Sequence, residues 1–369
     1  MKLAIVRQRY TAFGGAERFV ERALAPLREQ GLELTVIARR WEGAGDTAAF
    51  LRCDPFFIGR TWRDVAFCRG VQALLAAGNF DLVQSHERIP GCHIFRAGDG
   101  VHATWLDLRD RARGGLAGLA TALSPWHRYT LAAEAATFRH PGLRAVICIS
   151  KMVRDDVARR FGLSAERLPV IYNGIDLEYF HPRLRAEHRQ GVRRELDIAD
   201  DAPVIAFVGS GFERKGVFRL LQALAQARRR DLVLLVVGRD RHEGRCRALA
   251  DSLGLSARVR FLGGRQDVRP FLGAADVFCL PTLYDPLSNA VLEALACGLP
   301  VVTTTTCGAG ELIEDGRSGF VCDALDIAAL ADRLDRLDQL DPQAARAAVA
   351  GLTLTAMAGR LADLYAELT

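Results

Sequence analysis

The amino-acid sequence predicts an α/β protein made of two successive doubly wound units. Short apolar runs alternate with longer stretches of helical periodicity from end to end, a pattern typical of parallel sheets covered by helices. At 369 residues the chain is too long for one ordinary hydrophobic core. Glycines also follow several of the apolar runs, which is where ligands approach the backbone in sheets of this kind.

The first half of the chain contains the first unit, predicted at residues 1–172. The helix expected at 16–30 has apolar positions at helical spacing, and Gly31 supplies its stop signal. Residues 171–182 mix turn residues with few periodic apolar positions, so we interpret them as a linker. The strands of this unit are expected at 3–6, 33–38, 82–85, 93–96 and 145–149.

The same pattern restarts after the linker and predicts a second unit at 173–354. Ligands in such sheets bind beyond the carboxyl ends of the strands, so a site is expected in the cleft between the two units. The strands are expected at 204–208, 232–237, 259–262, 277–281 and 300–304, and the helices at 217–229, 245–253, 268–274, 288–296 and 327–337.

The composition is that of a soluble globular protein, with half of the residues apolar and a quarter charged. No apolar run approaches the roughly 20 residues of a membrane-spanning helix, and the apolar residues after Lys2 are too few for a signal peptide. These features predict a cytoplasmic location. The net charge of +5 suits phosphate-bearing ligands or an anionic surface, and no nucleic-acid-binding module is recognisable. The nine scattered cysteines form no CxxC pair, which predicts reduced thiols and no zinc site.

In each unit, one glycine-rich loop follows the first strand. Gly14 and Gly15 could bring backbone N–H groups close to a diphosphate. The second loop begins at Gly209 and holds Arg214 and Lys215, which could neutralise the charge on a departing diphosphate. Only three of the 49 basic residues are lysines, which makes the lysine in this loop notable. The loop spacing is GxGxxxxG instead of GxGxxG, which argues against a dinucleotide-dependent dehydrogenase.

A third motif lies in the segment 281–294. Asp285 is expected in a loop, and Ser288 is expected to cap the helix that carries Glu293. The backbone N–H groups of Leu287, Ser288 and Asn289 would face a phosphate at the start of this helix. Glu293 falls in the second turn, where a carboxylate can accept hydrogen bonds from ribose hydroxyls.

The run from Asp285 to Glu293 resembles the E-x7-E segment of retaining GT-B glycosyltransferases of family 4. Parts of the first half, at 13–43 and 89–99, are similar to bacterial lipopolysaccharide core glucosyltransferases in particular. Three further segments resemble motifs of the same family: the glycine loop at 13–15, the RKG loop at 209–216 and the interdomain Asn-Gly-Ile-Asp at 173–176.

The resemblance implies the GT-B fold, two Rossmann-like domains with a last helix, at 355–369, that packs back onto the first. It also implies retaining transfer of a hexose, without a metal or cofactor, from a UDP-sugar or another nucleotide-diphosphate sugar. The acceptor would be the lipopolysaccharide core or another glycan or lipid. The reaction could proceed by front-face departure of the diphosphate or through a covalent intermediate.

The resemblance also assigns roles to single residues. Gly14, Gly15, Gly209, Arg214 and Lys215 would bind the donor diphosphate together with the backbone at 287–289, and Glu293 would hold the ribose. Asp285 stands where the family has a longer Glu, beside the transferred sugar. Asp99 falls where the family places a polar residue near the acceptor, although Gly98-Asp99-Gly100 is equally suited to a plain turn.

Residues 102–140 interleave aromatic and aliphatic side chains with arginines. This pattern is typical of a segment that meets anionic lipid, and also of an ordinary helix pair with its aromatics in the core. The resemblance favours peripheral contact with the inner membrane. Two other functions stay open: a nucleotide-sugar epimerase or hydrolase of the same fold, and a catalytically silent partner subunit that binds a sugar nucleotide or lipid.

Overall fold

The structure is a computed structural model that describes residues 1–10, 31–41, 48–114 and 123–369. The chain divides into two compact units, Met1–Gly174 with Leu354–Thr369, and Ile175–Thr353. The boundary predicted from the sequence, after residue 172, lies two residues before the one between Gly174 and Ile175. The helix expected at 16–30 lies outside the described residues.

In the described part of the first unit, parallel strands form a six-stranded sheet in the order β5-β3-β1-β6-β7-β8. The first strand lies in the middle of the sheet, with its successors on both sides. Short strands β2 and β4 pair separately. The strands are β1 (Lys2–Val6), β2 (Arg9–Tyr10), β3 (Glu33–Ala38), β4 (Arg40–Trp41), β5 (Ala49–Arg52), β6 (Leu82–Ser85), β7 (Ile94–Arg96) and β8 (Ala145–Ile147), and the helices are α1 (Gly59–Ala77), α2 (His102–Arg113), α3 (Pro125–Phe138) and α4 (Lys151–Phe161).

The second unit repeats this topology. Its parallel strands, β9 (Val204–Val208), β10 (Val233–Val237), β11 (Val259–Gly263), β12 (Val277–Cys279), β13 (Val301–Thr304) and β14 (Gly319–Cys322), are ordered β11-β10-β9-β12-β13-β14. The strand order reverses between β9 and β12, which pair directly. The helices are α5 (Leu184–Glu195), α6 (Phe212–Lys215), α7 (Val217–Gln226), α8 (Glu243–Ser252), α9 (Arg269–Ala274), α10 (Asn289–Ala296), α11 (Ile327–Asp335) and α12 (Pro342–Ala347), with 3-10 turns at Ala165–Arg167 in the first unit and at Gly308–Leu312 and Leu337–Gln339 in the second.

A partly buried carboxylate fixes the amino ends of β9 and β12. Asp276 immediately precedes β12, and its Oδ2 accepts a hydrogen bond from the Val204 N–H at 2.9 Å. The same carboxylate is 2.7 Å from Arg189 and from the fully buried Arg193. Burial alone would raise the pKa of Asp276, but the bond from Val204 and the two arginines outweigh it and lower the pKa. The two central strands are therefore fixed to each other at their amino ends, and their carboxyl ends lie at the opposite edge of the sheet.

The last helix, α13 (Leu354–Glu367), belongs to the first unit. Its Met357, Leu361 and Tyr365 lie in a core cluster with residues of β1, β3 and β6. The Tyr365 hydroxyl donates a hydrogen bond to Gln84 Oε1 at 2.7 Å. The end of the chain thus completes the core of the unit in which the chain begins.

The predicted α/β class and its two doubly wound parallel sheets are confirmed, with strand ends that differ by one or two residues. The linker expected at 171–182 is largely packed: Ile171 and Phe180 are buried, and Arg346 Nη1 donates to the Phe180 carbonyl at 2.9 Å. Strand β5 was not predicted: its apolar run Ala-Phe-Leu is only three residues long, and all four of its residues are exposed. Strand β14 was missed because it is short and begins with a glycine.

Candidate functional site

The candidate site of the second unit lies at the carboxyl ends of β9 and β12. The loop after β9 leads through the single turn of α6, and the loop after β12 leads to α10. The two loops are hydrogen-bonded: the Leu283 N–H donates to the Arg214 carbonyl at 2.8 Å, and Thr282 Oγ1 donates to the same oxygen at 3.1 Å. The reversal of strand order opens a crevice here, which is where doubly wound sheets bind ligands.

Three predicted site residues meet in this crevice. Asp285 Oδ2 lies 3.5 Å from Lys215 Nζ and 3.6 Å from Arg214 Nη1. The Asp285 and Lys215 side chains are almost buried, whereas the Arg214 side chain is 37% exposed. Arg214 Nη1 also donates to the Tyr284 carbonyl at 2.8 Å, which fixes the guanidinium beside the carboxylate. The cluster holds one more positive than negative charge and can still accept an anion.

The backbone of Asp285 is held on both sides. Its N–H donates to the Thr306 carbonyl at 3.0 Å, and its carbonyl accepts from the Gly308 N–H at 2.8 Å. Cys307 lies opposite it in an isolated bridge. Burial, and then the negative charge of Asp285, raise the pKa of the Cys307 thiol to about 11. The thiol is therefore protonated at neutral pH and leaves the charge of the site to the three residues above.

Two glycines let the loops pack this closely. Gly216 has a φ of +88°, and a Cβ at this position would lie 2.0 Å from the Pro281 carbonyl oxygen. A Cβ on Gly209 would lie 2.7 Å from Lys215 Cδ, so the lysine side chain lies across this glycine. Gly209 thus makes room for the Lys215 side chain within its own loop.

Asp240, in the loop after β10, also organises the site and was missed by the sequence analysis. Its Oδ2 accepts hydrogen bonds from the Gly211 N–H at 2.8 Å and the Phe212 N–H at 3.2 Å. Its Oδ1 accepts from the His242 N–H at 2.8 Å. The carboxylate therefore fixes the start of α6, the turn that carries Arg214 and Lys215. Asp240 comes three residues after the end of β10, and its partners in the glycine loop lie 28 and 29 positions away, so no local sequence pattern identifies it.

The prediction that Ser288 caps α10 is confirmed for its position and wrong for its side chain. Ser288 is the N-cap residue of α10, but its side chain makes no capping bond. The N–H groups of Val291 and Leu292 donate to the Ser288 backbone carbonyl instead, at 3.1 and 3.2 Å. The hydroxyl is buried without a hydrogen-bond partner within the described residues. Because an unpaired buried hydroxyl is costly, this oxygen is suited to a ligand at the helix start.

Leu287 and Asn289, predicted near the phosphates, flank the N-cap of α10, and Glu293, predicted at the ribose, lies on this helix. Leu287 is buried, Asn289 is partly exposed, and Glu293 is 8% exposed in the second turn of α10. Gly14 and Gly15 lie outside the described residues.

Asp99 belongs to the first unit and is distant in sequence from Arg214, Lys215 and Asp285. Its side chain is 60% exposed, with Oδ2 4.0 Å from Arg7 Nη1. The Gly100 N–H donates to the Ala97 carbonyl at 3.1 Å, so Gly98-Asp99-Gly100 does form a turn. Its role near the acceptor stays a prediction.

In the segment 102–140, described except for 115–122, α2 and α3 pack as a helix pair. His102 Nε2 and His127 Nδ1 are 3.0 Å apart. Burial, and then nearby arginines, lower the pKa of His102 to about 3, so its ring is neutral. The Trp126 indole donates a hydrogen bond to Asp64 Oδ2 on α1 at 2.8 Å, which fixes the position of this aromatic ring.

Comparison with known proteins identifies the family. Residues 13–179 match the sequence model described as Glycosyltransferase Family 4, and residues 189–351 match that of Glycosyl transferases group 1. The crystal structure of WaaG, a glycosyltransferase involved in lipopolysaccharide biosynthesis, superposes with a TM-score of 0.82 at 26% identity, over 98% of this chain and 99% of that chain. This chain belongs to the GT-B glycosyltransferases.

The relatives of this chain include proteins named for lipopolysaccharide synthesis. The lipopolysaccharide glucosyltransferase WaaG of Escherichia coli (strain K12) is 28% identical over 325 residues, 87% of this chain and 85% of that protein. The lipopolysaccharide core biosynthesis glycosyltransferase LpsE of Rhizobium meliloti (strain 1021) is 42% identical over 134 residues, 36% of this chain and 39% of that protein. The similarity to WaaG thus extends along most of both chains.

No helix in the described ranges is long and apolar enough to cross a membrane. Over the same ranges, no three or more His, Cys, Asp or Glu side chains are grouped so that they could hold a metal ion. Metal independence stays a prediction.

Proposed function

We propose that this glycosyltransferase transfers a hexose, with retention of configuration, from a nucleotide-diphosphate sugar to a lipopolysaccharide-core or other glycolipid acceptor. The donor is expected to be a UDP-sugar. The observation that carries the proposal is the cluster of Arg214, Lys215 and Asp285 at the point where the strand order of the second unit reverses.

The donor diphosphate fits between two features of this site. On one side are the cations Arg214 and Lys215, and on the other is the start of α10, where N–H groups and the positive end of the helix dipole favour an anion. The buried hydroxyl of Ser288 lies at that helix start and can donate to a phosphate oxygen. Glu293, one turn further along, is placed to accept hydrogen bonds from ribose hydroxyls.

The transfer step breaks the bond between the anomeric carbon and the diphosphate oxygen, so negative charge grows on the leaving diphosphate. Arg214 can contact two phosphate oxygens at once, whereas Lys215 acts as a point charge. Because both are held by the fold before the reaction, they stabilise this charge without reorganisation.

Asp285 supplies the negative charge that faces the sugar, where positive charge develops at the anomeric centre. Two retaining routes use this arrangement. In the front-face route a diphosphate oxygen accepts the acceptor proton while the new bond forms on the same side. In the covalent route a carboxylate first bonds to the anomeric carbon and is then displaced.

The acceptor and the membrane are proposed from the relatives, which include two proteins named for lipopolysaccharide synthesis. Peripheral contact with the inner membrane would involve the segment 102–140. Its described part exposes arginines and leucines, namely Arg111, Arg113, Leu123, Arg128 and Leu131. No cofactor is proposed.

A thermal-shift screen with UDP, GDP, ADP, TDP and CMP tests the donor site. A ligand that binds only the folded protein raises the melting temperature, by about 5–10 °C at a concentration a hundredfold above Kd for a unit of this size. We expect UDP to give the largest shift. The double variant Arg214→Ala/Lys215→Ala should lose it, while Asp201→Asn, an exposed carboxylate of the same unit, should keep it. No shift with any ligand at millimolar concentration would contradict the proposal and favour a silent subunit that binds lipid.

A further inference from the structure

The first unit exposes an unusual apolar segment between β5 and α1. Six of the ten large apolar side chains recorded as exposed in the described residues fall between Phe50 and Trp62. Phe56 is 75% exposed, Ile58 68% and Trp62 50%. Scattered apolar side chains are normal on a protein surface, but a concentration of this kind marks a contact site. We call residues 50–62 the 50–62 surface.

The 50–62 surface has a definite shape. Strand β5 is the edge strand of its sheet, and all four of its residues are exposed. Phe56 and Trp62 lie edge to face, with ring centroids 6.0 Å apart. Beside them is an open hollow of about 420 Å³, lined by Ile58, Gly59, Arg60, Thr61, Trp62 and Val65.

Exposed arginines lie within or near this segment of the chain, and its acids are already paired. Arg40, Arg52 and Arg60 are exposed. Asp54 accepts hydrogen bonds from Arg39 at 2.7 Å and Arg52 at 2.9 Å.

The second acid, Asp64, accepts from Arg63 at 2.9 Å and from the Trp126 indole at 2.8 Å. Over residues 48–70 four arginines stand against these two aspartates. The surface is therefore apolar at its centre and basic around it.

The charge around the apolar side chains argues against a second copy of this chain as the partner. A second copy would bring its own arginines against these arginines, and like charges that face each other across an interface are unfavourable. Aromatic and aliphatic side chains within a basic rim are what a protein presents to the headgroup region of anionic lipid.

We propose that the 50–62 surface inserts Phe56, Ile58 and Trp62 into the headgroup region of an anionic phospholipid bilayer. The inference rests on the membrane contact in the proposed function and names a surface for it outside the segment 102–140. The two are continuous, since Arg60 stacks on the Trp126 ring at 3.3 Å and Asp64 accepts from its indole.

Co-sedimentation of the full chain with lipid vesicles tests this inference. Vesicles of phosphatidylcholine alone are compared with vesicles that also contain phosphatidylglycerol, at about 0.15 M salt. We expect binding to the anionic vesicles only. The double variant Phe56→Ser/Ile58→Ser should bind at least about tenfold more weakly, because two inserted side chains are removed. Leu325→Ser, an exposed leucine of the second unit, is the matched control and should bind like the wild type.

Every result has a definite meaning. Loss of binding in the double variant, with an unchanged melting temperature, supports the inference. Wild-type binding by that variant overturns it, and if Leu123→Ser then abolishes binding, the contact belongs to the segment 102–140. Absence of wild-type binding overturns it as well, as does a dimer that the double variant dissociates. A UDP thermal shift measured on the same samples reports the donor site separately, so failure at the membrane is distinguishable from failure of the donor proposal.

Discussion

The negative charge of Asp285 is expected to matter for the transfer step and much less for donor binding. Its Oδ2 lies within 3.6 Å of both Arg214 and Lys215. Replacing the carboxylate with an amide keeps the shape and leaves both cations available to a diphosphate. Positive charge at the anomeric centre, however, then lacks its negative neighbour. We expect Asp285→Asn to bind UDP within a few-fold of the wild type and to lower kcat about 10²–10³-fold.

Calorimetry with UDP and initial-rate kinetics with a donor sugar measure the two effects. Asp201→Asn, the same change on an exposed carboxylate, should leave both unchanged. Normal turnover by Asp285→Asn would remove the residue from the mechanism. Loss of UDP binding in this variant would instead make Asp285 part of the donor pocket.

At the scale of single residues, the sequence identifies side chains whose chemistry is local and misses those whose partners are distant. Arg214, Lys215 and Asp285 were predicted from short motifs, and the fold brings them together. Asp240 was missed because its partners lie 28 and 29 positions away, so no local pattern shows the bond. Ser288 differs, because the N–H groups that its side chain could cap are local: the residue type predicts a capping bond, but the hydroxyl makes none.

The element that determines donor binding is the loop from Gly209 through α6, and Asp240 holds its start. With this carboxylate removed, two N–H groups lose their acceptor and the turn carrying Arg214 and Lys215 is less ordered. We expect Asp240→Ala to destabilise the unit by about 1–2 kcal/mol, the usual cost of a lost cap. We also expect UDP to bind about tenfold more weakly, because the cations must be reordered on binding.

Asp240→Asn distinguishes positioning from general instability, because its side-chain oxygen can still accept the two N–H groups. Donor affinity should be largely restored in this variant, with kcat close to normal. Measured by calorimetry and thermal unfolding, a drop in melting temperature without any change in UDP affinity would reduce Asp240 to a purely structural residue.

At the scale of elements, whether a strand or helix is buried decided whether it could be predicted from the sequence. Strand β9 is buried at all five positions and reads as a continuous apolar run. Strand β5 is exposed at all four positions, and no periodicity marks it. Helix α1 has only two buried residues along its 19. Elements that face solvent carry little of the pattern on which such predictions depend.

At the scale of the whole molecule, each unit has a core of its own, and the two ends of the chain meet in the first. Leu361 of α13 is 1% exposed in that core, and Leu334 of α11 is fully buried in the second unit. Truncating either leucine to alanine leaves a cavity and costs about 3 kcal/mol, or about 6–12 °C in the melting temperature of its unit. The donor-site residues that the structure describes, Arg214, Lys215, Asp285 and Glu293, lie in the second unit.

We therefore expect the two variants to respond differently to UDP in calorimetric unfolding. Leu361→Ala should lower the transition of the first unit and keep the full UDP-dependent rise of the other. Leu334→Ala should lower the transition that UDP raises, and saturating UDP should offset part of the loss by mass action. If Leu361→Ala instead abolished the UDP shift, donor binding would depend on the first unit as well. Residues outside the described ranges, including Gly14 and Gly15, would then be the first to test by substitution.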